Sequence, residues 1–224
     1  IGFPTLSDVV SNILKKRNWK TLHLTSKISI LSSMALIILG ATMLFTLENN
    51  NLSANENAFE KITDLIFHST SGRTAGFTAI DFSSLGFPIL IIFTFLMFIG
   101  ASPGSFGGGI KTNTFVLIIY SFVTTIRGKK SVEIFNRKIS STLLYKSFSI
   151  LLFALIVILC GWIGLLITEP NTNPIFLLFE QTSAFSTVGL STGNTTEELS
   201  NLGQIIIMIT MFVGRIGTLL MAFS

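Results

Sequence analysis

Charged residues are scarce in this chain of 224 residues, of which Asp, Glu, Lys and Arg make up only 12%. Soluble domains carry about 25% charged residues, so this chain has too little polar surface to be one of them. Cysteine is rarer still, and the single Cys160 excludes an intrachain disulfide and a cysteine-based zinc site. The two histidines, His23 and His68, lie too far apart in sequence to suggest a metal cluster. The mean hydropathy of +0.71 indicates an integral membrane protein instead.

Long apolar runs take the place of the missing charge. Segments 28–47 and 147–168 contain no charged residue, and each has the roughly 20 residues that a helix needs to cross a bilayer. Segments 59–71 and 174–186 are too short to cross, so they are predicted to be re-entrant or interfacial helices. The sequence therefore predicts an all-α integral membrane protein.

Two further apolar stretches, 86–126 and 202–224, are interrupted. The first is broken at 100–109, where Pro103 and five glycines disfavour a helix. Non-helical backbone at membrane depth must face protein or water, so the break is predicted to line a cavity. A rigid kink for close packing is the alternative. The second stretch carries Arg215, whose insertion costs at least about 2.5–3.5 kcal/mol, so it should face a polar interior as a pore charge or a structural brace.

Positive charge is concentrated in two segments, 1–27 and 127–146. Segments 48–85 and 169–201 hold nine carboxylates against two basic residues. Because basic segments stay on the cytoplasmic side, this asymmetry predicts that segments 1–27 and 127–146 lie in the cytoplasm. The chain is accordingly predicted to be a multi-pass protein of the inner (plasma) membrane of the cell. The net charge of +4 is explained by this topology and does not indicate nucleic-acid binding.

Three pairs of matching tetrapeptides occur in the same order in the two halves of the chain. TAGF, SSLG and MFIG of the first half match TVGL, SNLG and MFVG of the second. Each set follows an apolar span and a short helix, so the sequence predicts two parallel span–pore loop–span repeats. The predicted divisions are a cytoplasmic segment (1–27), a first repeat (28–126), a basic cytoplasmic loop (127–146) and a second repeat (147–224) that is truncated in its last span.

Each short helix is followed by a Thr-x-Gly-apolar turn, which is predicted to form part of a selectivity filter. The residues are Thr74, Ala75, Gly76 and Phe77 in the first turn and Thr187, Val188, Gly189 and Leu190 in the second. Backbone carbonyls of an extended loop can replace the water shell of potassium, and glycine permits the backbone conformation that such a loop needs. Potassium is predicted at Thr74, Ala75, Gly76, Thr187, Val188 and Gly189. The alternative is that both turns merely end helices.

Three further polar residues border these features. Segment 104–112 approximates a phosphate-binding loop, but Ile110 displaces Lys111 and no strand precedes it, so nucleotide binding is not expected. Lys111 is instead predicted to face the cytoplasmic vestibule or a partner chain. Arg73 either tethers the first turn or lies at the outer mouth, and Glu180 either braces the second turn or is solvated.

Together these motifs resemble those of a known family. The matching stretches run along nearly the whole chain and are 72–77, 97–104, 107–112, 183–190 and 211–217. Through them the chain resembles the potassium-translocating membrane subunit of the Trk/Ktr/HKT superfamily, and most of all its bacterial Ktr type. Members have four span–pore loop–span repeats around one pathway. This chain resembles the third and fourth repeats, which is half of a pseudo-fourfold ion pathway.

The resemblance implies a gate and a set of partners. The Gly-rich break would be the flexible loop that gates the pathway, with residues Gly100, Ser102, Pro103, Gly104, Ser105, Gly107, Gly108 and Gly109. Arg215 would act with this loop, because Gly214 and Gly217 leave room for the loop to approach. The partners would be membrane lipids, the remaining two repeats of the same subunit, a second copy in a homodimer and a cytoplasmic nucleotide-binding regulatory subunit. No cofactor is expected, since potassium would be the transported substrate.

Potassium uptake without covalent chemistry is therefore the predicted function. A sodium-conducting or sodium-coupled relative is the alternative within transport. In the family, the difference between potassium and sodium transport is associated with a filter position of the first repeat, and this chain resembles only the third and fourth. An intramembrane enzyme would need a catalytic pair such as Ser/Lys, Asp/Asp or His/Glu at membrane depth, and the spans hold only the isolated Arg215. A structural scaffold would not need two filter-like turns.

Overall fold

The computed structural model describes residues 2–15, 19–47, 58–129, 131–135, 137–193 and 199–223, apart from the side chains of 20, 58 and 217–223. Its helices are α1 (Phe3–Leu14), α2 (Leu24–Leu47), α3 (Ala58–Ser71), α4 (Phe87–Phe98), α5 (Thr112–Ile126), α6 (Ser141–Thr168), α7 (Pro174–Ser186) and α8 (Asn201–Phe223). Between α5 and α6 a short antiparallel hairpin pairs β1 (Glu133–Ile134) with β2 (Arg137–Lys138). The predicted helical architecture is confirmed, and this hairpin inside the basic loop is a departure from an all-α fold.

Helices α2 and α6, with 24 and 28 residues, are long and apolar enough to cross a membrane. Both begin earlier than the apolar runs predict, because polar residues extend each helix at its start. The Ser140 hydroxyl caps α6 by accepting a hydrogen bond from the Leu143 N–H at 3.4 Å. Large apolar side chains along α6 are exposed, among them Leu152, Ile156 and Ile163. An apolar surface of this kind is expected to face lipid or another hydrophobic partner.

The predicted broken span is present as two helices, since α4 ends at Phe98 and α5 begins at Thr112. The chain between them is irregular apart from one isolated bridge and keeps no helical turn. Helix α8, in contrast, runs through Arg215 without a break. Arginine is a good helix former, so this residue interrupts the apolar stretch without interrupting the helix.

A cluster of aromatic residues forms the core between α4 and α7. Phe93 of α4 and Phe179 of α7 both pack on Phe82, with ring centroids 5.2 and 5.4 Å from it. Val188 and Leu190, which follow α7, belong to the same cluster and are 4% and 2% exposed. Each aromatic pair adds about 0.5–1.5 kcal/mol beyond the burial of its area. The core therefore fixes the position of the chain that follows α7.

The hairpin of the second basic segment packs against the start of α2, where the described part of the first basic segment ends. Ile134 of the hairpin is buried in a cluster with Ile28, near the start of α2. Helix α1 is joined to the same end, because the Asp8 carboxylate accepts a hydrogen bond from the His23 N–H at 2.9 Å. Burial alone would raise the pKa of Asp8, but hydrogen bonds from Ser26 and from the His23 backbone outweigh it and lower that pKa.

Candidate functional site

Two turns with the same backbone shape follow α3 and α7. In each of them a threonine has a left-handed backbone conformation, Thr74 with a φ of 71° and Thr187 with a φ of 54°. Two residues later a glycine is left-handed as well, Gly76 with a φ of 74° and Gly189 with a φ of 89°. This region is open to glycine but costs other residues about 1–2 kcal/mol, so the two threonines carry the same strain. The matching sequences thus have matching backbones.

The two turns face one another. A Cβ atom added to Gly76 would lie 2.1 Å from the carbonyl oxygen of Val188, so glycine is needed for this approach. One added to Gly189 would lie 3.9 Å from the Cα atom of Gly76. The residues that follow the glycines differ, because Phe77 is 71% exposed whereas Leu190 is packed into the core. The structure therefore brings the two sets of predicted filter residues into contact through their backbones.

Glu180 of α7 holds the chain that follows the second turn. Its side chain is 7% exposed, and Oε1 accepts hydrogen bonds from the Ser191 hydroxyl at 2.7 Å and the Thr192 N–H at 2.8 Å. The turn itself is closed by the Val188 N–H, which donates to the Ser183 carbonyl at 3.0 Å. Hydrogen bonds to a carboxylate are about twice as strong as neutral ones. Of the two roles predicted for Glu180, the brace is confirmed.

Arg73 holds the first turn. Its guanidinium donates to the carbonyl oxygens of Ser33 in α2, at 3.1 Å, and of Gly100, at 3.4 Å. Gly100 lies where the broken span leaves α4, so Arg73 ties the first turn both to α2 and to the break. Of the two roles predicted for Arg73, the tether is confirmed. The several donors of a guanidinium, which stays charged, make it suited to bonding two carbonyls at once.

The break between α4 and α5, residues 99–111, forms a loop whose ends are pinned together; we call it the Gly-rich loop. Ile99 and Ile110 are fully buried and pair as an isolated parallel bridge. The Ile110 N–H donates to the Phe98 carbonyl at 3.1 Å, and the Thr112 N–H donates to the Ala101 carbonyl at 3.3 Å. The base of the loop is thus fixed, and only its middle lacks regular backbone pairing.

The middle of the Gly-rich loop lies against both turns. The Gly108 N–H donates to the Thr187 hydroxyl at 2.7 Å. A Cβ atom added to Gly107 would lie 2.9 Å from the hydroxyl oxygen of Thr74, so the loop touches the first turn as well. The predicted gate residues 100 to 109 all lie in this loop. Loop and turns therefore meet at the threonine hydroxyls.

Lys111 is not where the sequence predicts it. Its side chain is 8% exposed, and its ammonium donates to the carbonyl oxygens of Ser105, at 3.3 Å, and of Gly107. The prediction that Lys111 faces a cytoplasmic vestibule or a partner chain is wrong, because the Gly-rich loop turns back over the ammonium and offers it two carbonyls. The only sequence signal for this contact is the cost of a charge beside an apolar span, which favours an internal partner.

Arg215 lines a cavity of about 360 Å³ beside the second turn, together with Thr187. The room predicted beside Gly214 is not open to the Gly-rich loop, because a Cβ atom there would lie 2.0 Å from the carbonyl oxygen of Phe185. Helix α7 fills that space instead. The surroundings of Gly217 lie outside the described residues. The placement of Arg215 is thus next to the second turn.

Two buried hydroxyls near the Gly-rich loop were not predicted as site residues. They belong to Thr112 and Ser186, and neither has a hydrogen-bond partner among the described residues. The Ser186 oxygen would lie 3.0 Å from a Cβ atom added to Gly109. Single serines and threonines in apolar helices are common, so no sequence signal could have distinguished them. Ser186 adds a polar group where the loop meets α7, and Thr112 adds one where the loop enters α5.

Comparison with known proteins assigns this arrangement to a family. The family model for TrkH, described as a cation transport protein, matches residues 1–223. The chain therefore belongs to the TrkH family of cation transport proteins. Membership of a transporter family also implies that the chain is a membrane protein.

Two of the similar proteins are Ktr system potassium uptake proteins of Bacillus subtilis (strain 168). Protein D is 39% identical over 219 residues, covering 98% of this chain and 48% of its own length. Protein B is 36% identical over 226 residues, covering 100% of this chain and 49% of its own length. The crystal structure of the potassium transporter TrkH from Vibrio parahaemolyticus matches 100% of this chain with a TM-score of 0.76 and 16% identity, which shows a shared fold. The chain spans about half the length of these relatives.

Proposed function

We propose that this chain forms half of a potassium-uptake pathway in which backbone carbonyls of the two Thr-x-Gly turns select the ion. The observation that carries the proposal is the contact between the turns, where Gly76 meets the Val188 carbonyl. Potassium leaves water readily only if several oxygens replace its shell together, which needs carbonyls from more than one segment around one point. Two matching turns that meet through their backbones satisfy that need for one side of a pathway.

The proposed filter consists of residues 74–77 and 187–190, with potassium bound at the first three residues of each turn. The strain shared by Thr74 and Thr187 supports this role, since sparsely populated backbone conformations cluster at functional sites. Turns that merely end helices commonly use one left-handed residue, but they do not need a second one two positions later, as Gly76 and Gly189 supply here. They would also not need to meet each other.

Two parallel repeats, 28–126 and 147–224, are proposed to surround the pathway on two of its four sides. The element order supports this, because a long helix, a short helix, a turn and a further helix occur twice along the chain. The cytoplasmic segment 1–27 and the basic cytoplasmic loop 127–146 would then lie on the same side of the membrane. The remaining two repeats of the same subunit would supply the other two sides.

The Gly-rich loop and Arg215 are proposed as the gate below the filter. Because the base of the loop is pinned, its middle can move away from Thr74 and Thr187 without unfolding α4 or α5. A rigid kink would need neither a break of this length nor contacts with both turns. Arg215 would add a fixed positive charge next to the second turn.

The protein is further proposed to be a multi-pass protein of the inner membrane, with lipids along the exposed faces of α2 and α6. A second copy would complete a homodimer. The hairpin, with Arg137 and Lys138 exposed, would offer a docking surface to a cytoplasmic nucleotide-binding regulatory subunit. Two relatives are named as proteins of a Ktr system for potassium uptake, which supports an assembly of more than one component.

Replacing Gly189 by alanine in the full-length gene tests the filter. The added methyl group has room, but a φ of 89° strains alanine by about 1–2 kcal/mol and should displace the turn. We expect potassium affinity to fall about tenfold, the equivalent of 1.4 kcal/mol, or selectivity against sodium to weaken. The measurement is uptake at limiting potassium in a potassium-auxotrophic host, with sodium as competitor.

Gly128→Ala is the matched control, because Gly128 has a φ of 66° and open space around it, yet lies in the basic loop. It should transport like the parent. Unchanged uptake by an equally abundant Gly189→Ala protein would remove the filter assignment. A parent that takes up sodium in preference to potassium would favour the sodium-conducting alternative.

A further inference from the structure

The ammonium of Lys111 is bound as a free monovalent cation would be. Its described acceptors are two backbone carbonyls of one loop, those of Ser105 and Gly107. A lysine ammonium is a compact point charge with three donors, and carbonyl oxygens are the groups that replace the water shell of potassium. The same two oxygens that hold the ammonium can therefore coordinate a potassium ion that keeps the rest of its water shell.

Neighbouring carbonyls of the loop are bonded differently. The Gly100 carbonyl accepts from Arg73, the Ala101 carbonyl accepts from the Thr112 N–H, and the Ser102 carbonyl accepts from the Ser105 N–H at 3.2 Å. Two of these three carbonyls accept from backbone N–H groups, and the third accepts from a guanidinium that is also bonded to Ser33. The Ser105 and Gly107 carbonyls, in contrast, share one mobile donor at the end of a four-carbon stem.

We infer that the Ser105 and Gly107 carbonyls form a binding site for a monovalent cation, which the Lys111 ammonium occupies in this conformation and a permeating ion occupies when the ammonium withdraws. The identity of that ion as potassium rests on the proposed function. Lys111 thereby acts as a tethered cation that competes with the transported one.

The position of the site fits this role. Gly107 lies against the hydroxyl of Thr74, and the N–H of its neighbour Gly108 donates to the hydroxyl of Thr187. The carbonyl pair is therefore next to the inner end of both turns, where an ion leaving them would arrive. While the ammonium is bound there, the charge repels such an ion and the hydrogen bonds keep the loop beneath the turns.

Space for withdrawal is present on the other side of the lysine. Lys111 also lines a cavity of about 170 Å³ between the starts of α5 and α6, together with Asn113, Lys146 and Ser147. The side chain can turn into this cavity by rotating its stem, without any movement of α5. There the Asn113 Oδ1 already accepts a hydrogen bond from the Ser29 hydroxyl at 2.9 Å, and the Ser147 hydroxyl donates to the Leu143 carbonyl at 2.8 Å. Each of these two side-chain oxygens keeps a lone pair that can accept a hydrogen bond from the ammonium in place of the loop carbonyls.

Lys111→Met in the full-length protein tests the inference, because methionine keeps most of the stem volume and removes the ammonium. The purified variant is heated in choline chloride and in increasing potassium or rubidium chloride. Potassium should stabilise the variant more than the parent, since the vacated carbonyls now bind it. At a concentration about 100 times the dissociation constant of the site, the unfolding equilibrium constant should fall about 100-fold further than in the parent. Rubidium should also appear between the two carbonyls in crystals of the variant.

Lys129→Met is the control, because Lys129 is exposed just after α5 and lies outside both the Gly-rich loop and the cavity beside Lys111. It should respond to potassium as the parent does. If Lys111→Met can be recovered only in potassium and is lost in choline, the inference is supported. If it is equally destabilised, or equally unrecoverable, in both salts, Lys111 is a structural brace and the inference fails.

Failure of the proposed function gives a different result. In that case the parent would not take up potassium in cells, whatever its cation-dependent stability. Cation-specific rescue of Lys111→Met is measured on purified protein and does not depend on transport. A response to sodium as large as that to potassium would leave the site in place and overturn potassium as its ion.

Discussion

A threonine in the left-handed backbone conformation is strained, and glycine at the same position would remove the strain. Thr187 nevertheless makes a hydrogen bond that glycine could not make, because its hydroxyl accepts from the Gly108 N–H at 2.7 Å. A hydrogen bond of this kind contributes about 0.5–1.5 kcal/mol, which offsets much of the backbone strain. The residue type therefore reflects contact with the Gly-rich loop as well as the shape of the turn.

Arg215→Gln should raise the maximal rate of potassium uptake. At an effective dielectric constant near 20, a guanidinium about 6 Å from a cation raises its energy by about 3 kcal/mol, which slows passage by roughly two orders of magnitude. Because the filter binds the ion first, apparent affinity should change little. The measurement is initial uptake against external potassium, divided by the amount of transporter in the membrane.

Arg127→Gln serves as the control, because Arg127 is an exposed arginine at the end of α5, in the basic loop. It should leave the rate unchanged. An Arg215→Gln protein that is equally abundant and no faster than the parent would make Arg215 a brace.

For single residues, the sequence predicts a role where that role depends on neighbours in sequence. The turns could be predicted because a Thr-x-Gly motif after a short helix is local and occurs twice. The bond from Arg73 to Ser33 joins residues 40 positions apart, and no pattern in the sequence encodes it. The partners of Lys111 are only four and six positions away, but they lie in irregular backbone, where helical or strand periodicity gives no guide.

Among the elements, the Gly-rich loop is the one whose length can be changed without removing its anchors. Deleting residues 103–107 leaves the Ile99–Ile110 bridge and the bond from Thr112 to Ala101 in place. The shortened loop can no longer reach both turns, so we expect a higher rate of potassium uptake. The measurement is again uptake per transporter. A well-expressed deletion protein that transports no faster than the parent would favour a packing kink over a gate.

Helix boundaries were predictable where a capping residue marks them. Helix α7 has the predicted bounds because Asn173 caps its start, Pro174 opens it and the left-handed Thr187 ends it. The starts of α2 and α6 were placed too late, since the apolar run reports the width of the hydrocarbon and not the length of the helix. The hairpin at 133–138 was missed because strands of two residues carry no alternation to detect.

The proposed orientation of the whole molecule in the membrane can be tested by labelling. With Cys160 replaced by alanine, we expect Asn171→Cys, between α6 and α7, to react with a membrane-impermeant maleimide in intact cells. Glu133→Cys, in the hairpin, should react only after the membrane is permeabilised. Both positions are exposed, so access to the reagent depends on the side of the membrane and not on burial. Labelling of both from outside, or in the reverse order, would contradict the proposed topology.

The contact between the two turns also constrains how the protein is made. Gly189 lies 113 residues after Gly76, so at about 5–20 residues per second the ribosome adds the second turn about 6–23 s after the first. Until then the first turn has its bonds to α2 and to Gly100 but no Val188 carbonyl to pack against. A chain halted between the two turns therefore has a first turn that is tethered but lacks its contact with the second.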